Sequence, residues 1–149
     1  MLNSIYRSSV LALAIAVATL ASSACNDDDS PSAPEPEPDP PTVTETFQGD
    51  IEQTETSCHD FSLIEDGDVT LVITDLQPLS TLTVGLGIGQ PDSSVATGCG
   101  LFVQDNSVRV NQTLLAANLL AGDFCACIFD VGNIFPGETV TYSFDVTHP

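Results

Sequence analysis

The sequence contains no lysine and no tryptophan, and its 149 residues hold only two arginines, Arg7 and Arg109, against 21 acidic side chains. Every acid lies after position 24, so Arg109 is the one permanent cation in the remainder of the chain. A formal net charge of −19 repels phosphate backbones, which excludes nucleic acid as a partner, and it gives no electrostatic route onto anionic lipid. Cations and basic protein surfaces are the partners this charge permits, and its simplest consequence is solubility. Long apolar runs are also missing: nothing after residue 24 approaches the roughly 20 apolar residues of a membrane span. There is no Gly-x-Ser-x-Gly nucleophile elbow, and only two histidines, His59 and His148, are available for acid–base work.

What is present begins with an export signal. Residues 1–24 carry Arg7 in a short leading segment, then the apolar run from Val10 to Ala21, then the small residues Ser22, Ser23 and Ala24 before Cys25. A run of that length is too short for a stable span. Ser22-Ser23-Ala24-Cys25 resembles the lipobox of bacterial lipoprotein signals, although Ser22 stands where an aliphatic residue is usual. The resemblance implies that Cys25 is lipidated, with palmitate-type acyl chains, and becomes the first residue of the mature protein. Cysteine parity agrees. Removing Cys25 from the five cysteines leaves Cys58, Cys99, Cys125 and Cys127, an even set suited to two bridges in an oxidising compartment.

Residues 25–43 read as the lipidated cysteine followed by a disordered linker. Asp27-Asp28-Asp29 precedes Pro31, Pro34, Pro36, Pro38, Pro40 and Pro41, interleaved with Glu35, Glu37 and Asp39. Such a composition cannot offset its ordering entropy and favours extended polyproline II. At about 3.1 Å per residue it would hold a domain roughly 50 Å from a membrane.

Residues 44–149 change to strand patterning. Val69, Leu71 and Ile73 alternate with Thr70, Val72 and Thr74; Leu82 to Ile88 and Val140 to Val146 alternate in the same way. Phe47–Gln53, Cys58–Ile64, Ala96–Val103, Val108–Leu115 and Phe124–Val131 complete about eight expected strands. Turn signals separate them at Glu65–Asp68, Gln77-Pro78, Gln90–Asp92, Asp105-Asn106, Ala121–Asp123 and Pro136-Gly137. Only Leu114–Leu120 has the composition for a helical turn or two. Many short strands imply an all-β antiparallel sandwich, because two half-buried sheets must cover each other's apolar faces.

Three stretches are similar to the bacterial pre-peptidase C-terminal domain: Phe61–Leu76 with its Gly67-x-Val69-x-Leu71 run, Leu119–Asp130 with Ala121-Gly122 entering a strand, and Thr141–Val146 as the closing strand. The resemblance implies a jelly-roll-like β-sandwich without catalytic activity, of a kind that in some members binds polymers.

Candidate sites follow from side-chain chemistry. Cys125 and Cys127 are two apart on one strand, so both leave the same face at nearly 7 Å, at the edge of disulfide reach. Each therefore pairs with Cys58 or Cys99, which leaves two connectivities open; Cys58–Cys127 with Cys99–Cys125 is the preferred one. A metal site from these cysteines and His59 competes poorly with bridges outside the cytosol. His59 and Asp60 point to opposite faces of a strand and do not make a triad with Ser57 or Ser62, and His148 is expected at a frayed end. Asp66 and Asp68 flank Gly67 in an acidic turn and are weak calcium candidates, lacking a full ligand series. Gly85, Gly87 and Gly89 line one outward strand face, open to a ligand or covered by a neighbouring segment.

The sequence thus leads to a non-catalytic, lipid-anchored protein of the bacterial envelope, expected in the outer membrane, with no cofactor. It would display a binding module for a protein, polysaccharide or calcium. A structural subunit of an envelope complex and an enzyme with an unrecognised site are the alternatives.

Overall fold

The computed structural model describes residues 41–149, so the signal segment, Cys25 and most of the expected linker lie outside the described residues. Eight strands follow one another: β1 (Val43–Glu52), β2 (Thr56–Leu63), β3 (Gly67–Gln77), β4 (Val84–Pro91), β5 (Cys99–Val108), β6 (Thr113–Leu119), β7 (Gly122–Phe129) and β8 (Thr139–His148). They form two four-stranded antiparallel sheets, ordered β1-β8-β3-β6 and β2-β7-β4-β5. First pairs with last, second with seventh, third with sixth and fourth with fifth. That is one long hairpin rolled on itself, the wiring of a jelly roll.

Period-two patterning sets which face is buried. On β8, Val140, Tyr142, Phe144 and Val146 point inward while Thr139, Thr141 and Ser143 face outward. They meet Val69, Leu71 and Ile73 of β3 and, from the other sheet, Phe61, Leu86, Ile88, Ala126 and Ile128 in one core. Each large core side chain buried this way contributes about 1.5–3 kcal/mol.

The outward faces must satisfy many carboxylates without lysine. Serine, threonine and backbone N–H groups provide the donors. Thr46 donates to Asp145 at 2.7 Å, Thr141 to Asp50 at 2.6 Å and Ser62 to Asp123 at 2.8 Å. The His148 imidazole meets the Glu45 carboxylate at 2.9 Å.

Several sequence expectations need correction. Asp105-Asn106 is not a turn but lies inside β5, where the register slips between Val84–Val108 and Leu86–Asp105. Asp105 accepts from the Ser107 backbone and hydroxyl there, the local bonding that made it look like a turn. The real turn falls at residues 109–112, within the expected strand Val108–Leu115, with Asn111 at φ 66° and Gln112 N–H donating to the Arg109 carbonyl. Leu114–Leu120 is not helical: Leu114 and Ala116 point inward from β6, opposite Leu71 and Val69. Pairing with β3 overrides the helix preference of leucine and alanine.

Candidate functional site

The cysteines of β7 project away from the core, because Phe124, Ala126 and Ile128 on the same strand point into it. Cys127 lies directly opposite Cys58 on β2 and is bonded to it, with the Cα atoms 4.1 Å apart. Cys99 of β5 is bonded to Cys125 across the intervening strand β4 at a Cα separation of 6.0 Å. Two ordinary strand spacings would be roughly 9.5 Å, so the start of β5 folds over β4 to close the bridge.

Glycine permits this. A Cβ on Gly89 would collide with the Gly100 carbonyl, on Gly87 with Leu101, and on Gly85 with the ring of Phe129. The outward glycine face is therefore covered by neighbouring segments and is not bare. The sulfurs of Cys58, Cys99 and Cys127 lie within 4.8 Å of one another, so the two bridges pack as a unit. Each sulfur is committed to a disulfide, and a thiolate metal site would need it reduced.

His59 and Asp60 leave β2 in opposite directions. Asp60 is exposed, while His59 stacks on Phe47 at 4.9 Å and meets Phe144 edge-on at 5.7 Å. His59 Nε2 lies 2.8 Å from the Tyr142 hydroxyl, which donates to Ser57 Oγ at 2.7 Å. With that proton given to Ser57, the hydroxyl accepts from His59. Burial lowers the His59 pKa below 6.5, partly opposed by the charge of Asp60. Burial likewise raises the Tyr142 pKa above 10, against the hydrogen bond from Tyr142 to Ser57. Gly49 on β1 leaves the space that Tyr142 fills. These three polar side chains were not predicted to form a group; the spacing of Ser57 and His59 two apart on an inward strand face was the available signal.

His148 is not frayed. It ends β8, buried against Phe61, with Nε2 on Glu45 and Nδ1 3.0 Å from the Pro149 oxygen. Asp66 accepts from the Ala121 N–H at 2.7 Å and Asp68 from the Asn118 N–H at 2.8 Å. Asp66 thus ties the β2–β3 turn to the β6–β7 turn, and Asp68 ties the start of β3 to the end of β6.

The loops 53–55, 78–83, 109–112 and 130–138 gather at the end of the sandwich opposite Val43. Asp130 organises them. Its carboxylate accepts from the N–H groups of Thr54, Gly132, Asn133 and Ile134 at 2.9–3.1 Å. Burial pushes its pKa up, but these donors outweigh that effect and hold it below 3.8. Asn133 donates to the Thr83 carbonyl, joining loop 130–138 to loop 78–83. Between them lies a cleft of about 150 Å³ lined by Leu79, Leu82, Ile134, Val140, Asn133 and Glu138, among others. Sequence reasoning missed this site. Its signal was apolar residues beside proline in loops, Pro78-Leu79 and Phe135-Pro136.

A second, wider cleft of about 460 Å³ lies over the disulfide face between Thr56, Leu101 and Phe129, and a third of about 240 Å³ lies beside Asp66 and Leu120. Ser57, His59 and Tyr142 line none of the three.

No protein-family model and no curated protein matches the chain. Among solved structures the fold is similar to that of PliG from Aeromonas hydrophila, a periplasmic lysozyme inhibitor of g-type lysozyme. The TM-score is 0.51 at 12% sequence identity, covering 69% of this chain and 83% of that one. At that identity the likeness is one of fold.

Proposed function

We propose that this chain is a non-catalytic lipoprotein of the bacterial envelope, anchored through Cys25 and displaying its jelly-roll domain on the acidic linker to bind a protein partner. The observation that carries the reading is the disposition of polar groups. His59, Tyr142 and Ser57 are consumed in a hydrogen-bonded network between the sheets and line none of the three clefts, and the loop-end cleft holds a single carboxylate, Glu138, with no histidine or serine beside it. The concave surface at the loop end is mostly apolar, which suits complementarity and not bond chemistry. PliG, named as an inhibitor of an enzyme, is a periplasmic protein of similar fold that engages a protein.

Intact mass of the protein extracted from membranes tests the anchoring. The expected species starts at Cys25, carries a glyceride and acyl groups, and lacks two hydrogens for each of two bridges. An unprocessed cytosolic chain with free thiols overturns it. In-cell cross-linking of the full chain tests the binding role: a discrete adduct degraded by protease is expected, and monomer alone at every cross-linker dose counts against it.

A further inference from the structure

We propose that the loop end carrying Leu79 and Phe135 is the docking surface, and that its occupant is a basic protein inserting one apolar side chain into the cleft between loops 78–83 and 130–138. This rests on the binding role argued above and adds the face and the partner's chemistry.

Exposed apolar side chains are the first ground. Phe135 is 69% and Leu79 56% exposed, yet their loops are pinned. Ile134, beside Phe135, is only 2% exposed and anchors its loop in the core, while the Asp130 carboxylate holds three successive N–H groups of that loop. Leu82 N–H donates to the Leu79 carbonyl at 3.0 Å and Glu138 N–H to the Phe135 carbonyl at 3.0 Å, so each sits in a closed turn. Apolar groups held out to solvent by rigid loops lose little entropy on binding, which is the condition for anchor residues.

Size is the second. A cavity of about 150 Å³ is the volume that takes one benzene-sized group. It suits a single ring or branched aliphatic side chain, not a polymer chain.

Charge decides the class of partner. Glu138 lines the cleft, Glu52 ends β1, and Glu55 lies in the β1–β2 turn, where its carbonyl accepts from Asp130 N–H. Arg109, the nearest cation, has its Nε bonded to Thr83 Oγ1 at 3.0 Å and offsets little of the net charge of −19. A carboxylate in a mostly apolar cleft, on a chain of net charge −19, selects a positively charged surface and speeds its approach.

The test uses the full-length chain in its own cells with a photo-cross-linking amino acid placed singly at Leu79, Phe135, Ile64 or Leu120. The last two are also exposed but lie in the turns at the other end. A discrete adduct from Leu79 and Phe135, containing a protein of net positive charge, is expected. With that protein purified, L79D combined with F135D should weaken binding about 30-fold or more. E138K should slow association, and so should raising the salt. An adduct only from Ile64 and Leu120 overturns the location while leaving the binding role intact. An adduct of twice the chain's mass, an acidic protein, or a heterogeneous adduct removed by polysaccharide-degrading enzymes overturns the partner class. No adduct from any position overturns the binding role itself.

Discussion

Gly89 lies beneath the Cys99–Cys125 bridge so closely that a Cβ there would stand 2.9 Å from Cys99 Sγ and strike the Gly100 carbonyl. The absence of a side chain lets the start of β5 fold over β4 and close a bridge across a strand. Replacing Gly89 with alanine should therefore destabilise the domain by about 1–3 kcal/mol, as overpacking does, with both disulfides still formed. Urea denaturation with thiol counting checks this; an unchanged midpoint would contradict the close packing.

The two bridges should contribute unequally. Cys58–Cys127 closes a span of 69 residues and Cys99–Cys125 one of 26. Chain entropy predicts losses of about 4.4 and about 3.5 kcal/mol when each pair is replaced by serine. Paired replacement followed by denaturation should give the larger loss for Cys58 and Cys127.

Tyr142 joins Ser57 and His59, so Tyr142→Phe strands two half-buried polar groups at once. A loss of about 1–3 kcal/mol is expected. A change near zero would mean that water replaces the hydroxyl.

His59 should make stability pH-dependent. Its pKa in the folded domain lies below 6.5 because burial disfavours the imidazolium, while the unfolded chain titrates near 6.5. Below about 6.5 the unfolded state therefore binds a proton that the folded state refuses, and stability falls as pH drops through that window. Thermal midpoints between about pH 8 and about pH 5 should decline more steeply for the native chain than for H59Q. Parallel curves would remove His59 as the cause.

Asp130→Ala deprives four backbone N–H groups of their acceptor. Loop 130–138 should become the first site of limited proteolysis, and partner binding should weaken even though Asp130 does not line the cleft. Retained protease resistance would show that the anchoring of Ile134 alone fixes the loop.

Much of the fold was legible because its rule is local. Alternation on β3 and β8 marks the buried face from the sequence alone, since residues two apart on a strand share a side. Where non-local pairing competes with local preference, the residues misled. The leucines and alanines of β6 resemble a helix until β3 supplies partners, and Asp105 resembles a turn until β4 shows a bulge.

By itself the sequence determined the acidity, the sandwich class and the shared face of Cys125 and Cys127, because charge and strand period are properties of residues and their nearest neighbours. Tertiary structure alone decided which sulfurs meet, that Ser57, Tyr142 and His59 satisfy one another, and that Leu79 and Ile134 flank one cleft. The bonded pairs among these lie 26 to 85 residues apart in the chain, and only the rolled hairpin, through long-range strand pairing, brings them together.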